Sequence, residues 1–381
     1  MTTHDRGKVH LVPQTIPLIR TLPATVPFVG PEAQERTRGR PFRARIGANE
    51  SCFGPAPSVI EAMNAAAGEM WKYCDPDNFD LKQALAVFLG VAPDNIVVGE
   101  GIDGVLNLIV RLYAGPGDAV VTSLGAYPTF NFHVAGVGAR LLTVPYEDDR
   151  ESLQGLLDAV RREKAQLVYL SNPDNPMGTF WKADEILRFI HALPATTMLV
   201  LDEAYGETAI SDLPPIDVSR PNVLRLRTFS KAYGLAGIRC GYAVGEADVI
   251  AEFEKIRNHY GVNRMAQVAG LAALADQAYL TKVVARIATT RDRITQIARE
   301  NRLSPIPSGT NFVTMDCGAD GAFAMRLLQG LLARDVFARK PMAPVLDRCI
   351  RISVGLPHEI DIFEEELPKA LAEAREGSGP D

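Results

Sequence analysis

The sequence has no run of about 18 apolar residues, the length a helix needs to cross a bilayer. Cysteines are few. There are five, Cys52, Cys74, Cys240, Cys317 and Cys349, odd in number and far apart, with no C-x-x-C pair. That excludes a disulfide scaffold and predicts reduced thiols, as in a cytoplasm. Six histidines form no H-E-x-x-H or Cys/His cluster, so no metal site is expected. Basic charge is not in excess. Lys and Arg number 40 against 46 Asp and Glu, a net charge of −6, so neither nucleic acid nor an anionic membrane is an expected partner. His4, Asp5, Arg6 and Lys8 lead into a proline-broken stretch instead of an apolar segment, which is not the pattern of a signal peptide. No internal repeat or low-complexity tract is present.

What remains is an ordinary globular composition, 47% hydrophobic and 23% charged over 381 residues. That length carries a prior of two domains. Pro13, Pro17, Pro23, Pro27, Pro31 and Pro41 predict an extended arm over 1–45, lying on the body or on a partner subunit, with 1–9 and the tail 376–381 frayed. From about residue 78 helical and β-branched segments alternate. Strands are predicted at 95–98, 119–122, 140–144, 166–170, 197–201, 222–227 and 240–244. Helices at 81–89, 103–113, 129–135, 151–162 and 182–191 lie among them. This alternation reads as an α/β large domain over 46–262, with a mostly parallel seven-stranded sheet sandwiched by helices. The last strand follows its neighbour closely enough to run antiparallel. Residues 264–300 read as nearly continuous helix. Strands at 311–315 and 349–354 bracket a helix at 322–332, giving a smaller α+β C-terminal domain over 263–381.

Gly99-Glu100-Gly101-Ile102-Asp103-Gly104 matches G-x-G-x-x-G between a strand and a helix. A dinucleotide site also needs an acid at the end of the next strand, about 20 residues on. No Asp or Glu occurs from Ala119 to Tyr146, so that reading fails. A helix N-terminus that presents amides to a single phosphate survives, alongside a plain tight turn.

Four further segments carry chemistry. Ser171-Asn172-Pro173-Asp174-Asn175-Pro176-Met177-Gly178-Thr179 follows a buried strand, and its two Asn-Pro steps enforce a turn that leaves Asn175 at the strand end. Asp202, in Asp202-Glu203-Ala204-Tyr205, ends an apolar strand, where a carboxylate needs a partner: a structural salt bridge or a ligand. Lys231 sits beside Ser230 in the small-residue loop 228–237; alone it reads as a surface lysine. Arg239 follows, opening the next strand.

Taken together, S-N-P-x-N-P-x-G, D-E-A-Y and S-K-x-x-G-x-x-G-x-R resemble the fold type I pyridoxal-phosphate aminotransferases, and within them the histidinol-phosphate aminotransferase-like branch. The resemblance runs from about Ile16 to the C-terminal helix. It implies pyridoxal 5'-phosphate as cofactor, with Lys231 joined to its aldehyde and later moving a proton. It implies that Asp202 pairs with the ring nitrogen, and that Asn175 and Tyr205 hydrogen-bond the ring oxygen. Ser230, Arg239 and the backbone of Gly101, Ile102 and Asp103 would hold the phosphate, with Phe130 stacked on the ring. Tyr73 would reach the phosphate of a neighbouring subunit, making a homodimer with shared sites. Arg351 would clamp a substrate carboxylate, with Arg339 and Asn49 beside it.

Two positions depart from the branch pattern. Asn49-Glu50-Ser51-Cys52-Phe53-Gly54-Pro55 stands where N-E-N-P-x-G-P is usual, and Phe28 stands where many members carry tyrosine. The expected activity is transfer of an amino group between an amino acid or amino-alcohol phosphate and a 2-oxo acid. Alternatives are a threonine-phosphate type decarboxylase, a nicotinamide-dependent oxidoreductase resting on the glycine motif, and a cofactor-binding regulator without catalysis.

Overall fold

The computed structural model describes residues 13–23 and 29–376. Phe28 and nearly all of the ends expected to fray fall outside them. The proline-rich arm is not wholly extended. Two short helices, α1 (Pro17–Thr21) and α2 (Pro31–Arg38), each begin on a proline. Proline is tolerated at a first helical position because its missing N–H has no partner there anyway. The proline-breaking expectation overlooked that position.

Helices α3 (Pro57–Ala66) and α4 (Phe79–Leu89) precede the central sheet. Its strands are β1 (Ile96–Gly99), β2 (Ala119–Ser123), β3 (Arg140–Val144), β4 (Leu167–Ser171), β5 (Met198–Asp202), β6 (Val223–Thr228) and β7 (Gly241–Val244). They lie in the order β1-β7-β6-β5-β4-β2-β3. All neighbours are parallel except β7, which runs antiparallel to β6 and β1. Both faces are apolar because alternate residues serve opposite cores. Val120, Val200 and Leu224 pack toward α5 (Gly101–Tyr113) and α6 (Pro128–Gly136). Val121, Leu199 and Leu201 pack toward α7 (Leu153–Glu163) and α8 (Ala183–Ala192). Each large side chain so buried contributes about 1.5–3 kcal/mol.

The helical stretch after Val262 is two helices, α9 (Arg264–Ala275) and α10 (Gln277–Glu300). Asp276 divides them. Its backbone leaves the helical region, and its carboxylate accepts from the Tyr279 amide (3.1 Å) and the Ser58 hydroxyl (2.7 Å). An aspartate competes for backbone donors in this way and favours caps over helix interiors. A second, antiparallel sheet follows: β8 (Ser304–Pro305), β9 (Phe312–Asp316) and β10 (Cys349–Ser353). Helices α11 (Gly321–Ala333) and α12 (Pro357–Glu376) cover it. Ala44 and Ile46, from the junction between arm and large domain, pack into this second core. Ala44–Arg45 pairs parallel to Val336–Phe337, and Ser353 N donates to Ile46 O (2.7 Å). The chain after the arm is thus stitched to the C-terminal layer before it enters the large sheet.

One buried ion network ties strand ends together behind the sheet. Glu203, fully buried, accepts from Arg225 (2.6 and 3.1 Å) and Arg227 (2.9 Å). Removing one partner of such a network leaves an uncompensated buried charge. Glu203→Ala is therefore expected to lower stability by about 3–5 kcal/mol, read from urea unfolding of wild type and variant.

Candidate active site

Parallel strands end together, so ligands of open α/β sheets bind beyond their carboxyl ends. Here Ser171, Asp202 and Leu226 are in register across β4, β5 and β6. Beyond them lies a cavity of about 270 Å³.

Asp202, 4% exposed, forms its floor. One carboxylate oxygen accepts from Tyr169 Oη (2.7 Å) and the other from the Ala204 amide (2.9 Å). Burial raises its pKa from the ordinary 3.8 to about 6, against the pull of those two hydrogen bonds. No ion pair reaches it among the described residues, so a cationic N–H donor in the cavity would supply the missing counter-charge. Phe130 does not line the cavity. It is fully buried behind Tyr169, with ring centroids 4.6 Å apart and planes at 21°. As part of α6 it faces the sheet core. Tyr127, just before that helix, lines the cavity instead, and its hydroxyl donates to Asp103 (2.8 Å).

The opposite end is built for an anion. Helix α5 begins at Gly101, at the glycine motif, so its first amides open toward the cavity rim. Gly101 has φ +74°, and a side chain there would collide with the Arg239 guanidinium. Arg239 lies outside β7, contrary to expectation. It ends a short helical turn in the left-handed region (φ 63°), which brings its side chain to Gly101 and within 3.9 Å of Asp103. Thr228 and Ser230 complete this end. Their hydroxyls bond at 2.9 Å, and the Ser230 amide donates to Thr228 Oγ1 (3.0 Å). The sequence reading missed Thr228, Tyr127 and Tyr169. Two-residue spacing from Ser230 and from Ser171 was the available signal for Thr228 and Tyr169.

Lys231 lies between the two ends. Its Nζ donates to Asn49 O (3.1 Å) and stands 5.5 Å from the centre of the Tyr205 ring. Asn49, buried and at φ 56°, also donates from Nδ2 to Tyr205 Oη (3.1 Å).

A second chamber of about 460 Å³ shares Asn175, Tyr205 and Lys231 with the first. Arg351 and Arg339 stand in it, held side by side by a backbone bridge. Arg351 Nη1 donates to Asn175 Oδ1 (2.5 Å), its guanidinium stacks over Phe312 at 5.1 Å, and its Nε is buried without a partner. Burial lowers its pKa to about 10, far above neutrality, so it stays charged. Arg339 Nη2 donates to Val29 O (2.9 Å), which fastens the arm beside the chamber. Tyr73 is 82% exposed and lines neither chamber; its ring lies 5.0 Å from that of Tyr260. A larger groove of about 720 Å³ between α7 and α8 holds none of these groups.

The arrangement can hold a flat, elongated group with an anion at one end and a cationic N–H at the other, with an amine between and a cationic wall beyond. Residues 45–365 match the family model "Aminotransferase class I and II". The chain is similar to a solved structure, histidinol-phosphate aminotransferase from Sinorhizobium meliloti in complex with pyridoxal-5'-phosphate. The two share 55% identity and a TM-score of 0.93, over 96% of this chain and 99% of that one. It is 36% identical to histidinol-phosphate aminotransferase 2 of Hydrogenovibrio crunogenus, over 86% of this chain and 88% of that one. It is also 36% identical to histidinol-phosphate aminotransferase of Roseiflexus castenholzii, over 92% of this chain and 96% of that one.

The raised pKa of Asp202 makes stability depend on pH. Its folded value lies above its unfolded value, so the folded state binds the proton more tightly, and stability falls as pH rises from about 3.8 through about 6. In the cofactor-free protein, Asp202→Asn removes this penalty. The variant is expected to exceed wild type by up to about 3 kcal/mol above pH 6, with the gain shrinking toward pH 4, in urea unfolding across that range.

Proposed function

The chain belongs to the class I and II aminotransferases, and from that membership we infer which of its residues perform the transfer. The reaction moves an amino group between an amino compound and a 2-oxo acid, with pyridoxal 5'-phosphate as carrier. The single observation that carries the residue assignment is the placement of Lys231 between a buried, cation-free carboxylate and a glycine-opened helix N-terminus. Those ends fit the cofactor's ring nitrogen and its phosphate. When bound, the cofactor supplies an aldehyde for an amine to join and a ring that draws electrons from the substrate carbon.

Asp202 keeps a proton on the ring nitrogen, because a buried carboxylate without a cation favours a charged donor. Tyr169 and the Ala204 amide aim its two oxygens. Arg239, Ser230, Thr228 and the amides of Gly101, Ile102 and Asp103 take the phosphate through charge-assisted bonds. Lys231 is the amine that would join the cofactor's aldehyde, and its Nζ stands where it could move a proton at the substrate carbon. Asn175 and Tyr205 hold the ring oxygen. Arg351 offers a planar fork to a carboxylate, already oriented by Asn175 and Phe312.

Arg339, Arg351 and Lys340 give the outer chamber a cationic wall. That wall supports a doubly functional donor, an amino acid or an amino-alcohol phosphate such as histidinol phosphate, with 2-oxoglutarate as acceptor. Asn49 lies at its floor. Tyr73, exposed beside the exposed Trp71 and Tyr260, supports a two-fold homodimer in which each copy lends Tyr73 to the other's phosphate. A cytoplasmic setting accords with the free cysteines. No described helix is long and apolar enough to cross a membrane. The oxidoreductase alternative has no support at the glycine motif, since Ala119–Ser123 ends without an acid.

Lys231→Ala is expected to abolish both the visible absorbance of the bound cofactor and turnover; a variant that kept both would overturn the assignment. Arg351→Ala is expected to raise KM for amino acids and 2-oxo acids by about 10- to 100-fold, the worth of one charged hydrogen-bonded pair, while the visible band persists. Steady-state kinetics over a panel of donors measures this and ranks the donors.

A further inference from the structure

Asn49 makes an unusual closed set of hydrogen bonds. Its backbone N–H donates to Ser353 Oγ (2.9 Å), and the Ser353 hydroxyl returns its own hydrogen to Asn49 Oδ1 (2.8 Å). Ser353 Oγ already accepts the Asn49 N–H, and among the described contacts Asn49 Oδ1 is the acceptor that takes its one hydrogen; a reversed amide would leave that hydrogen without a partner, so the contact marks which end of the Asn49 amide is the oxygen. The NH2 end is then turned the other way, where Nδ2 donates to Tyr205 Oη (3.1 Å). Tyr205 accepts there, so its single hydrogen is left for the cavity. The reversed amide would do the opposite. Its oxygen would take the Tyr205 hydrogen, and the cavity would face a lone pair. The surroundings hold the set rigid. Asn311 Nδ2 donates to Asn49 O (3.1 Å), the Tyr205 ring packs edge-on against Phe312 at 5.5 Å and 88°, and Ser353 is 2% exposed.

We propose that Ser353 is a positioning residue that, through the Asn49 amide, fixes the Tyr205 hydroxyl as a hydrogen-bond donor to the cofactor's ring oxygen. The inference rests on the cofactor reading given above. A donor to that oxygen stabilises its negative charge when the adjacent lysine-linked nitrogen loses its proton, so it lowers the pH at which the visible band changes. The charged groups around Tyr205 are Glu50, Asp103, Asp202, Lys231 and Arg239 in the inner cavity and Arg339, Lys340 and Arg351 in the outer chamber. None is altered by changing Ser353.

The test is a spectrophotometric pH titration of the cofactor-loaded enzyme. Tyr205→Phe is expected to move the midpoint upward by about 1–2 units, the worth of a hydrogen bond to a charged group. Ser353→Ala moves it in the same direction by part of that amount, and Ser353→Thr, which keeps the hydroxyl, restores the wild-type value. Should the alanine variant fail to fold, Ser353→Cys, whose thiol is a poor donor, moves the midpoint in the same direction. An S353A or S353C midpoint equal to wild type overturns the proposal. So does a Thr variant that shifts as far as Ala, or a Tyr205→Phe variant that does not shift. A wild-type enzyme with no visible band sinks the cofactor reading instead, so the two failures are told apart.

Discussion

A carboxylate is expensive to bury, and Asp202 is buried at the end of a central strand with hydrogen bonds but no cation among the described residues. That local imbalance organises the site. It favours a positively charged donor in the cavity and sets where such a donor would stand. The strand register then decides the rest. Once Asp202 is fixed, Ser171 lies beside it on β4, and the loop after β6 must carry Lys231 past the same point. Phe130 serves this arrangement from behind, by stacking on the tyrosine that holds the carboxylate.

The second constraint is the joining of two cores. The segment around Ala44–Arg45 pairs with Val336–Phe337, and Ser353 N bonds Ile46 O. Asn49 follows within a few residues. It touches β10 through Ser353, β9's approach through Asn311, and the large sheet's loops through Tyr205 and Lys231. Arg351 spans the same gap from the other side through Asn175. The amine and the guanidinium are therefore referenced to one junction. A side chain from either layer can shift only if that hydrogen-bonded junction shifts as well.

Much of the sheet was readable because apolar runs bounded by turn residues have few alternatives. All seven strands occur within one residue or so of the expected positions, and the antiparallel β7 follows from the short connection before it. The arm was misread because the same proline that breaks a helix interior also starts a helix. The stretch after Val262 is nearly continuous helix as expected, but its one break at Asp276 was not legible, because Asp276 looks like any surface acid until Ser58 and the Tyr279 amide are seen to claim it. Phe130 and Tyr127 illustrate a different limit. They lie three residues apart at the start of α6, and only the rotation of that helix against the sheet decides which of the two rings meets the cavity.

The sequence by itself determined the chemical inventory: a lysine in a small-residue loop, an aspartate closing an apolar strand, a glycine-opened helix and an arginine on a short C-terminal strand. Those are local facts, fixed by spacing and backbone preference. Only the tertiary structure decided how the groups face one another. It placed Arg239 against Gly101, Arg351 against Asn175, and the Asn49 amide between Ser353 and Tyr205. The Asn49–Ser353 contact alone joins residues 304 positions apart; such contacts depend on how two cores pack, and no short-range pattern encodes that.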